Sequence, residues 1–278
     1  MRAKKTFGQH FLKDPSVLRS IIEASQIVKN EPVLEIGPGT GALTRFLLEA
    51  GANVVAVEAD GDMVKTLNSL FPELACPEES RRVEGAKDFR LVHADILSLT
   101  PQQLTELGLH DFHYKLIANI PYNITSDILR RFLTVAPRPS RLVLMVQKEV
   151  ADRILAEPGE MSVLSVMCQL YARCSRICRV PAGAFLPPPK VDSTVVRLDR
   201  LPEKETLDVE SIISLAKAGF SSRRKQLHGN LTAAGYSTTE EIKSILVELG
   251  LSEKARAEEL SVDNWRALTL RIDHDKIL

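Results

Sequence analysis

Pro32-Val-Leu-Glu-Ile-Gly-Pro-Gly-Thr-Gly-Ala-Leu-Thr-Arg-Phe-Leu-Leu-Glu49 passes from a short apolar run through three alternating glycines into residues of helical periodicity. Strand, glycine turn and helix in direct succession open a dinucleotide-type α/β unit. Glycine lets the backbone turn sharply and approach a ligand closely. A second strand, Asn53-Val-Val-Ala-Val-Glu58, ends on an acid about twenty residues after the first glycine, the offset at which a carboxylate meets ribose hydroxyls. A third, Phe89-Arg-Leu-Val-His-Ala-Asp95, ends on another acid at the same edge. Asp95 reads equally as an acceptor for an adenine amino group and as the N-cap of a helix beginning at the next residue. For Glu58 the alternative is a solvated strand end.

The glycine spacing is G-x-G-x-G, not the G-x-G-x-x-G of NAD-binding chains, and the Gly-Lys-Ser/Thr of phosphate-cradling loops is missing. Glu35 stands two residues before the first glycine. Carboxylates are electrostatically favourable beside a sulfonium and an ammonium, and unfavourable beside a pyrophosphate. Glu35, Gly37, Gly39, Gly41, Glu58 and Asp95 therefore form the expected binding set, and S-adenosylmethionine is the expected cofactor.

Tyr114-Lys-Leu-Ile-Ala-Asn-Ile-Pro-Tyr122 is a further buried strand that stops at an amide, a proline and an aromatic ring. Ligands of open α/β sheets bind outside the carboxyl ends of the strands. Proline fixes φ and has no N–H, so this lip is stiff. The Asn119 amide, a main-chain carbonyl and the Tyr122 ring suit a planar, hydrogen-bonding substrate such as a nucleobase. In isolation Asn-Ile-Pro-Tyr is more simply a strand-terminating turn, and the cofactor motif upstream shifts the reading.

Around this centre, Phe7, Phe11 and Leu12 are too apolar to leave in water and are expected to dock. Asp14-Pro15 starts a helix. Residues 71–87 read as a polar loop. A helix begins after Tyr122, capped by Thr125 or Ser126, and Arg141–Gln147 is a buried strand. Lys148–Arg153 and Met161–Tyr171 are helical. Strands at Arg173–Val180 and Val191–Leu198 are joined by Phe185-Leu-Pro-Pro-Pro-Lys190, as in the antiparallel edge of a seven-stranded methyltransferase sheet. An acidic linker then leads to helices at 209–218, 238–249 and 262–270. The expected fold is α/β: a Rossmann-like seven-stranded catalytic domain over 1–200 and a small all-helical RNA-binding domain over 201–278.

The 278 residues carry a formal net charge of zero, so no global basic bias marks a nucleic-acid binder. The sum hides local patches: Arg173, Arg176, Arg179, Lys190, Arg197 and Arg200 in one stretch, and Arg223-Arg-Lys225 with His228 in another. The second offers phosphate contacts at a helix or turn. The four cysteines, Cys76, Cys168, Cys174 and Cys178, complete no zinc set with a nearby histidine, so no metal is expected. No apolar run is long enough to span a bilayer, and the basic Met1–Lys5 precedes no apolar leader, so a cytoplasmic location is expected and no membrane partner.

Gly8-Gln-His-Phe-Leu12, Leu34-Glu-Ile-Gly-Pro-Gly-Thr-Gly41, Val57-Glu58, Asp95, Asn119-Ile-Pro-Tyr122, Gln147-Lys-Glu-Val150 and Phe185-x-Pro-x-Pro-Lys-Val191 occur in one order along nearly the whole chain. In this the sequence resembles the small-subunit ribosomal RNA adenine dimethyltransferases. Antibiotic-resistance methyltransferases acting on large-subunit RNA share most of these motifs; Ser222-Arg-Arg-Lys-Gln-Leu227 favours the small-subunit family. His10 stands where the family often has Asn, and the stretch from Cys76 to Lys87 departs from a shorter family form. The resemblance implies methyl transfer from S-adenosylmethionine to N6 of two adjacent adenosines near the 3′ end of small-subunit RNA, twice per base. It implies catalytic roles for Asn119, Ile120, Pro121 and Tyr122, and adds His10, Leu12 and Asn119 to the cofactor set. Arg223, Arg224, Lys225, Lys190 and Lys148 become the RNA contacts, and the partner is small-subunit rRNA or the assembling subunit, bound by a monomer. Two other classes stay open: an RNA-binding assembly factor with a vestigial cofactor site, and a methyltransferase for a small molecule or a protein.

Overall fold

The computed structural model describes residues 10–71, 89–202 and 209–272. The basic opening with Phe7, the segment holding Cys76, Arg81 and Arg82, and most of the acidic linker lie outside the described residues. The chain forms two compact units.

The first unit takes the described residues up to Ala151 together with Cys174–Arg200. It opens with the short strand β1 (Phe11–Leu12) and helix α1 (Pro15–Ser25). Asp14 caps α1 by accepting the Ser16 N–H at 2.9 Å, ahead of proline in the first turn. Then come β2 (Pro32–Ile36), α2 (Ala42–Glu49), β3 (Asn53–Glu58), α3 (Gly61–Leu70), β4 (Phe89–His93), α4 (Pro101–Glu106), β5 (Lys115–Asn119), α5 (Thr125–Thr134) and β6 (Arg141–Gln147). After α6 (Lys148–Ile154) and α7 (Val163–Tyr171) the sheet is completed by β7 (Ala172–Val180) and β9 (Ser193–Arg200), with the two-residue β8 (Phe185–Leu186) between them.

Among the described residues, seven strands lie in the order β4-β3-β2-β5-β6-β9-β7. From β4 to β6 all neighbours are parallel, and β9 runs antiparallel to β6 with Gln147 opposite Ser193. Val33, Leu34, Leu116, Ile117 and Leu142–Val146 are buried, as strands covered on both faces require. Chain order reverses between β2 and β5, so a crevice opens at their carboxyl ends. The Gly turn leaves one of these strands and Asn119 ends the other.

The docking expected of Phe11 and Leu12 is a two-stranded sheet of β1 and β8, with Phe11 opposite Leu186 and Leu12 opposite Phe185. Leu12 and Phe185 are buried in the same core as Leu18 and Ile21 of α1, Val143 and Met145 of β6, and Val195 of β9. Burial of that order stabilises by about 1.5–3 kcal/mol for each large side chain, enough to fix both segments at the rim. Thr125 is the first residue of α5, not its cap, and its hydroxyl donates to the Tyr122 carbonyl at 3.3 Å.

The second unit differs from the expected division at residue 200. It comprises Asp152–Arg173 as well as the described residues from Leu201 onward. The reason is α7, which buries Leu164, Val166, Met167, Cys168, Leu170 and Tyr171 and so needs cover nearly all round. That cover comes from α8 (Val209–Gly219) and, later in the chain, α11 (Val262–Arg271). Between them, α9 (Leu227–Ala233), in the stretch read as a helix or a turn, and α10 (Thr239–Glu248) pack on each other. Trp265 is wholly buried at the centre.

Candidate active site

Four segments of the first unit meet at one cavity of about 420 Å³: the turn after β2, the end of β3, the end of β4 and the lip after β5, with His10–Leu12 also in its wall. Gly37, Gly39 and Gly41 all hold left-handed φ, at +64°, +56° and +75°. Only glycine adopts this routinely. Gly37 and Gly39 line the cavity; Gly41 does not. A Cβ on Gly41 would lie 2.8 Å from the Phe71 ring and 3.1 Å from Leu67, so this third glycine lets α2 pack closely.

Glu58 ends β3 with its carboxylate anchored on both oxygens, one accepting the Gly39 N–H at 3.1 Å and the other the Asp60 N–H at 2.9 Å. The acid at the ribose offset thus also stitches the glycine turn to its neighbouring strand. Asp95 lies two residues past β4: one carboxyl oxygen caps the next turn by accepting the Leu97 N–H at 3.0 Å, and the residue borders the cavity. Glu35 is 1% exposed and accepts the Thr44 hydroxyl at 2.7 Å. Burial, aided by the negative charge of Glu58, pushes its pKa up to about 8 against the pull of Thr44.

Among the described residues, three acids and no lysine or arginine line this cavity. Such a lining repels phosphate and favours a cation that also carries hydroxyls. A volume of several hundred cubic ångströms suits a nucleoside-sized ligand. The residues present therefore fit S-adenosylmethionine better than a dinucleotide.

Asn119 and Ile120–Tyr122 border the same cavity. The Asn119 amide nitrogen donates to the His10 carbonyl at 3.2 Å. Because a carbonyl can only accept, that bond fixes the amide's rotation and leaves its oxygen as the acceptor for a ligand. Ile120 is buried, and its N–H donates to the Met145 carbonyl at 3.3 Å. The Tyr122 ring lies 6.0 Å from the His10 ring at 25° between planes, and its hydroxyl is hydrogen-bonded to Ser193 Oγ at 2.8 Å. Burial raises the Tyr122 pKa, so the phenol stays neutral.

The RNA-contact candidates are not part of this cavity. Lys148 opens α6, its N–H donating to the Asp192 carbonyl at 3.0 Å, and Lys190 is exposed on the connector just before Asp192. Arg223, Arg224 and Lys225 are exposed on the turn between α8 and α9 in the second unit. Asn230 holds that turn by donating to the Gly219 carbonyl at 2.6 Å and the Ser222 carbonyl at 3.0 Å. Among the described residues, no group of three or more His, Cys, Asp or Glu is placed to hold a metal ion, and no helix is long and apolar enough to cross a membrane.

Sequence reasoning missed Thr44, Ser193 and Asn230, each of which orients a candidate residue. Thr44 was accessible: it lies in the first turn of the helix that the glycines launch back along β2. Ser193 is 71 residues from Tyr122 and carries no local signal.

The sequence model of the ribosomal RNA adenine dimethylase family matches residues 1–274. The ribosomal RNA small subunit methyltransferase A of Dehalococcoides mccartyi (strain CBDB1) is 39% identical over 273 residues, covering 97% of this chain and 88% of the relative. That of Acaryochloris marina is 43% identical, covering 96% of each. Among solved structures, a dimethyladenosine transferase from Plasmodium falciparum superposes with a TM-score of 0.76 at 27% identity, over 93% of this chain and 96% of the other. The 23S rRNA methyltransferase ErmE gives 0.74 at 27% identity, over 95% of this chain and all of the other.

Proposed function

The chain belongs to the ribosomal RNA adenine dimethylase family, and from that premise we propose that it dimethylates N6 of two adjacent adenosines near the 3′ end of small-subunit rRNA, using S-adenosylmethionine. One observation carries the reading: the Asn119-Ile-Pro-Tyr122 lip and the Gly37–Gly39 turn border a single cavity.

S-adenosylmethionine supplies a methyl group made electrophilic by its sulfonium. Glu58 and Asp95 would hold its ribose and adenine, Gly37 and Gly39 would let the backbone come close, and Glu35 would meet its positive charge. The task left to the lip is to make a poor nucleophile reactive. The lone pair of an adenine amino group is delocalised into the ring. Asn119 Oδ1 and the Ile120 carbonyl accept its two hydrogens, which draws that pair out of conjugation and aims it across the cavity. Pro121 stiffens the connection, so the two acceptors keep their spacing. Tyr122 stacks on the base, a contact worth about 1–3 kcal/mol. The adenine must leave its own stack to reach them. Fixed placement of both reactants supplies much of the acceleration. After one methylation a single N–H remains, and one acceptor suffices to hold it. Lys148, Lys190 and the Arg223–Lys225 turn contact RNA phosphates.

Transfer of tritiated methyl groups to under-methylated small subunits, with naked small-subunit RNA, large-subunit RNA and free adenosine in parallel, tests this. Dimethyladenosine recovered from small-subunit RNA is the expected product. Label confined to large-subunit RNA or to adenosine would overturn the assignment.

A further inference from the structure

Leu186 is 63% exposed, although the residue before it, Phe185, is buried at 1%. Its neighbours Pro187 and Pro188 are exposed too, and Lys190 lies just beyond them. A single exposed leucine needs no explanation. This one is fixed in position relative to the lip by a short chain of bonds. Leu186 pairs with Phe11 in the β1–β8 sheet. The next carbonyl, that of Pro187, is hydrogen-bonded to His10 Nδ1 at 2.9 Å, and the His10 carbonyl accepts from the Asn119 amide at 3.2 Å. An apolar ridge is thus held, on a strand pinned by Phe185 and linked through Pro187 and His10 to the amide that would grip the target amine.

Taking a base out of its stack leaves its neighbours without a partner. Nucleic-acid-binding proteins that separate stacked bases use apolar wedges such as leucine and proline. We propose, resting on the adenine N6-methyltransferase reading above, that Leu186, backed by Pro187, is the wedge that takes the extruded adenine's place against the adjoining base, with Lys190 on the flanking phosphate. Leu186 is then a positioning residue. It touches the RNA beside the target and keeps the target in the cavity.

The test uses the full chain and an RNA hairpin whose loop carries the two target positions, one replaced by 2-aminopurine, which brightens on leaving its stack. With saturating wild-type protein the fluorescence should rise several-fold. Leu186→Ser should bind the hairpin but lose most of that rise, and on the unmodified hairpin should lose about tenfold in kcat. Leu186→Met, which keeps the bulk, should restore both. Cofactor affinity, measured by calorimetry, should be the same in all three. A full fluorescence rise with Leu186→Ser, or a loss of cofactor affinity in that variant, would overturn the wedge. Failure of the wild-type protein to methylate the unmodified hairpin or any subunit RNA would instead overturn the underlying reading, and the wedge with it.

Discussion

At Asn119 the chemistry depends on one torsion. The amide is useful only if its oxygen faces the ligand, and the bond from its nitrogen to the His10 carbonyl sets that orientation. Asn119→Ala removes an acceptor without opening the glycine turn. Loss of one preorganised polar group commonly costs about 10²–10³ in kcat. Single-turnover transfer should fall by roughly that factor while calorimetric cofactor binding is retained and falls far less; wild-type turnover in the purified variant would refute the assigned role. Glu35 makes a pH-dependent prediction. Its pKa of about 8 lies above the ordinary 4.5, so burial keeps it protonated near neutrality in the ligand-free protein. A bound cation favours the ionised form. Cofactor binding at about pH 7 should therefore release close to one proton, falling towards none by about pH 9.5, as read from calorimetry in buffers of different ionisation enthalpy. Glu35→Gln should release none and bind about tenfold more weakly. The same shift sets the sign of the stability change. A carboxyl with a raised folded pKa contributes fully below about pH 4.5 and loses that contribution as pH rises through about 8. Thermal melts of ligand-free protein should fall across that window, and the Gln variant should flatten them.

Among the elements, the glycine turn separates two functions that look alike in sequence. Gly39 lines the cavity and donates to Glu58; Gly41 borders Phe71 and Leu67. Either residue changed to alanine must hold a left-handed φ, at about 1–2 kcal/mol, or roughly 2–8 °C in Tm. Gly41→Ala should lower Tm with cofactor affinity changed little. Gly39→Ala should lower both, since its Cβ would sit 3.1 Å from the Phe11 ring at the cavity wall. Equal cofactor loss in the two variants would contradict this division. The turn, the strands and the lip were legible because apolar runs ending in Gly, Glu, Asp and Asn carry their meaning locally. What was not legible is held by contacts distant along the chain. Ser193 Oγ meets the Tyr122 hydroxyl only because β9 inserts next to β6, and Asn119 meets His10 only because β1 pairs with β8. The α7 segment was readable as a buried helix, but not as the property of the second unit. An all-round apolar helix states that it needs cover and does not say from where.

For the whole molecule, neutrality of the sum and basicity of the parts must be reconciled. The cavity carries three acids and the helical unit a basic turn, so a polyanion is repelled by the first and attracted by the second. In the proposed function the phosphates are therefore left to basic residues outside the cavity, and only a neutral base enters it. Arg223, Arg224 and Lys225 are exposed, and none forms an ion pair among the described residues. Asn230 closes the turn from beneath, so the three cations are presented with little backbone freedom left to lose. Each phosphate neutralised releases counterions, with a slope of roughly −0.7 to −0.9 in log K against log salt. Replacing all three residues by alanine should reduce the magnitude of that slope by about two to three, and should weaken RNA binding far more in dilute salt than in concentrated salt. Cofactor affinity should not move, because these residues belong to the other compact unit. Filter binding across a salt series, with cofactor calorimetry on the same preparations, measures both. An unchanged slope would exclude this turn as a phosphate contact, whatever the variant did to turnover.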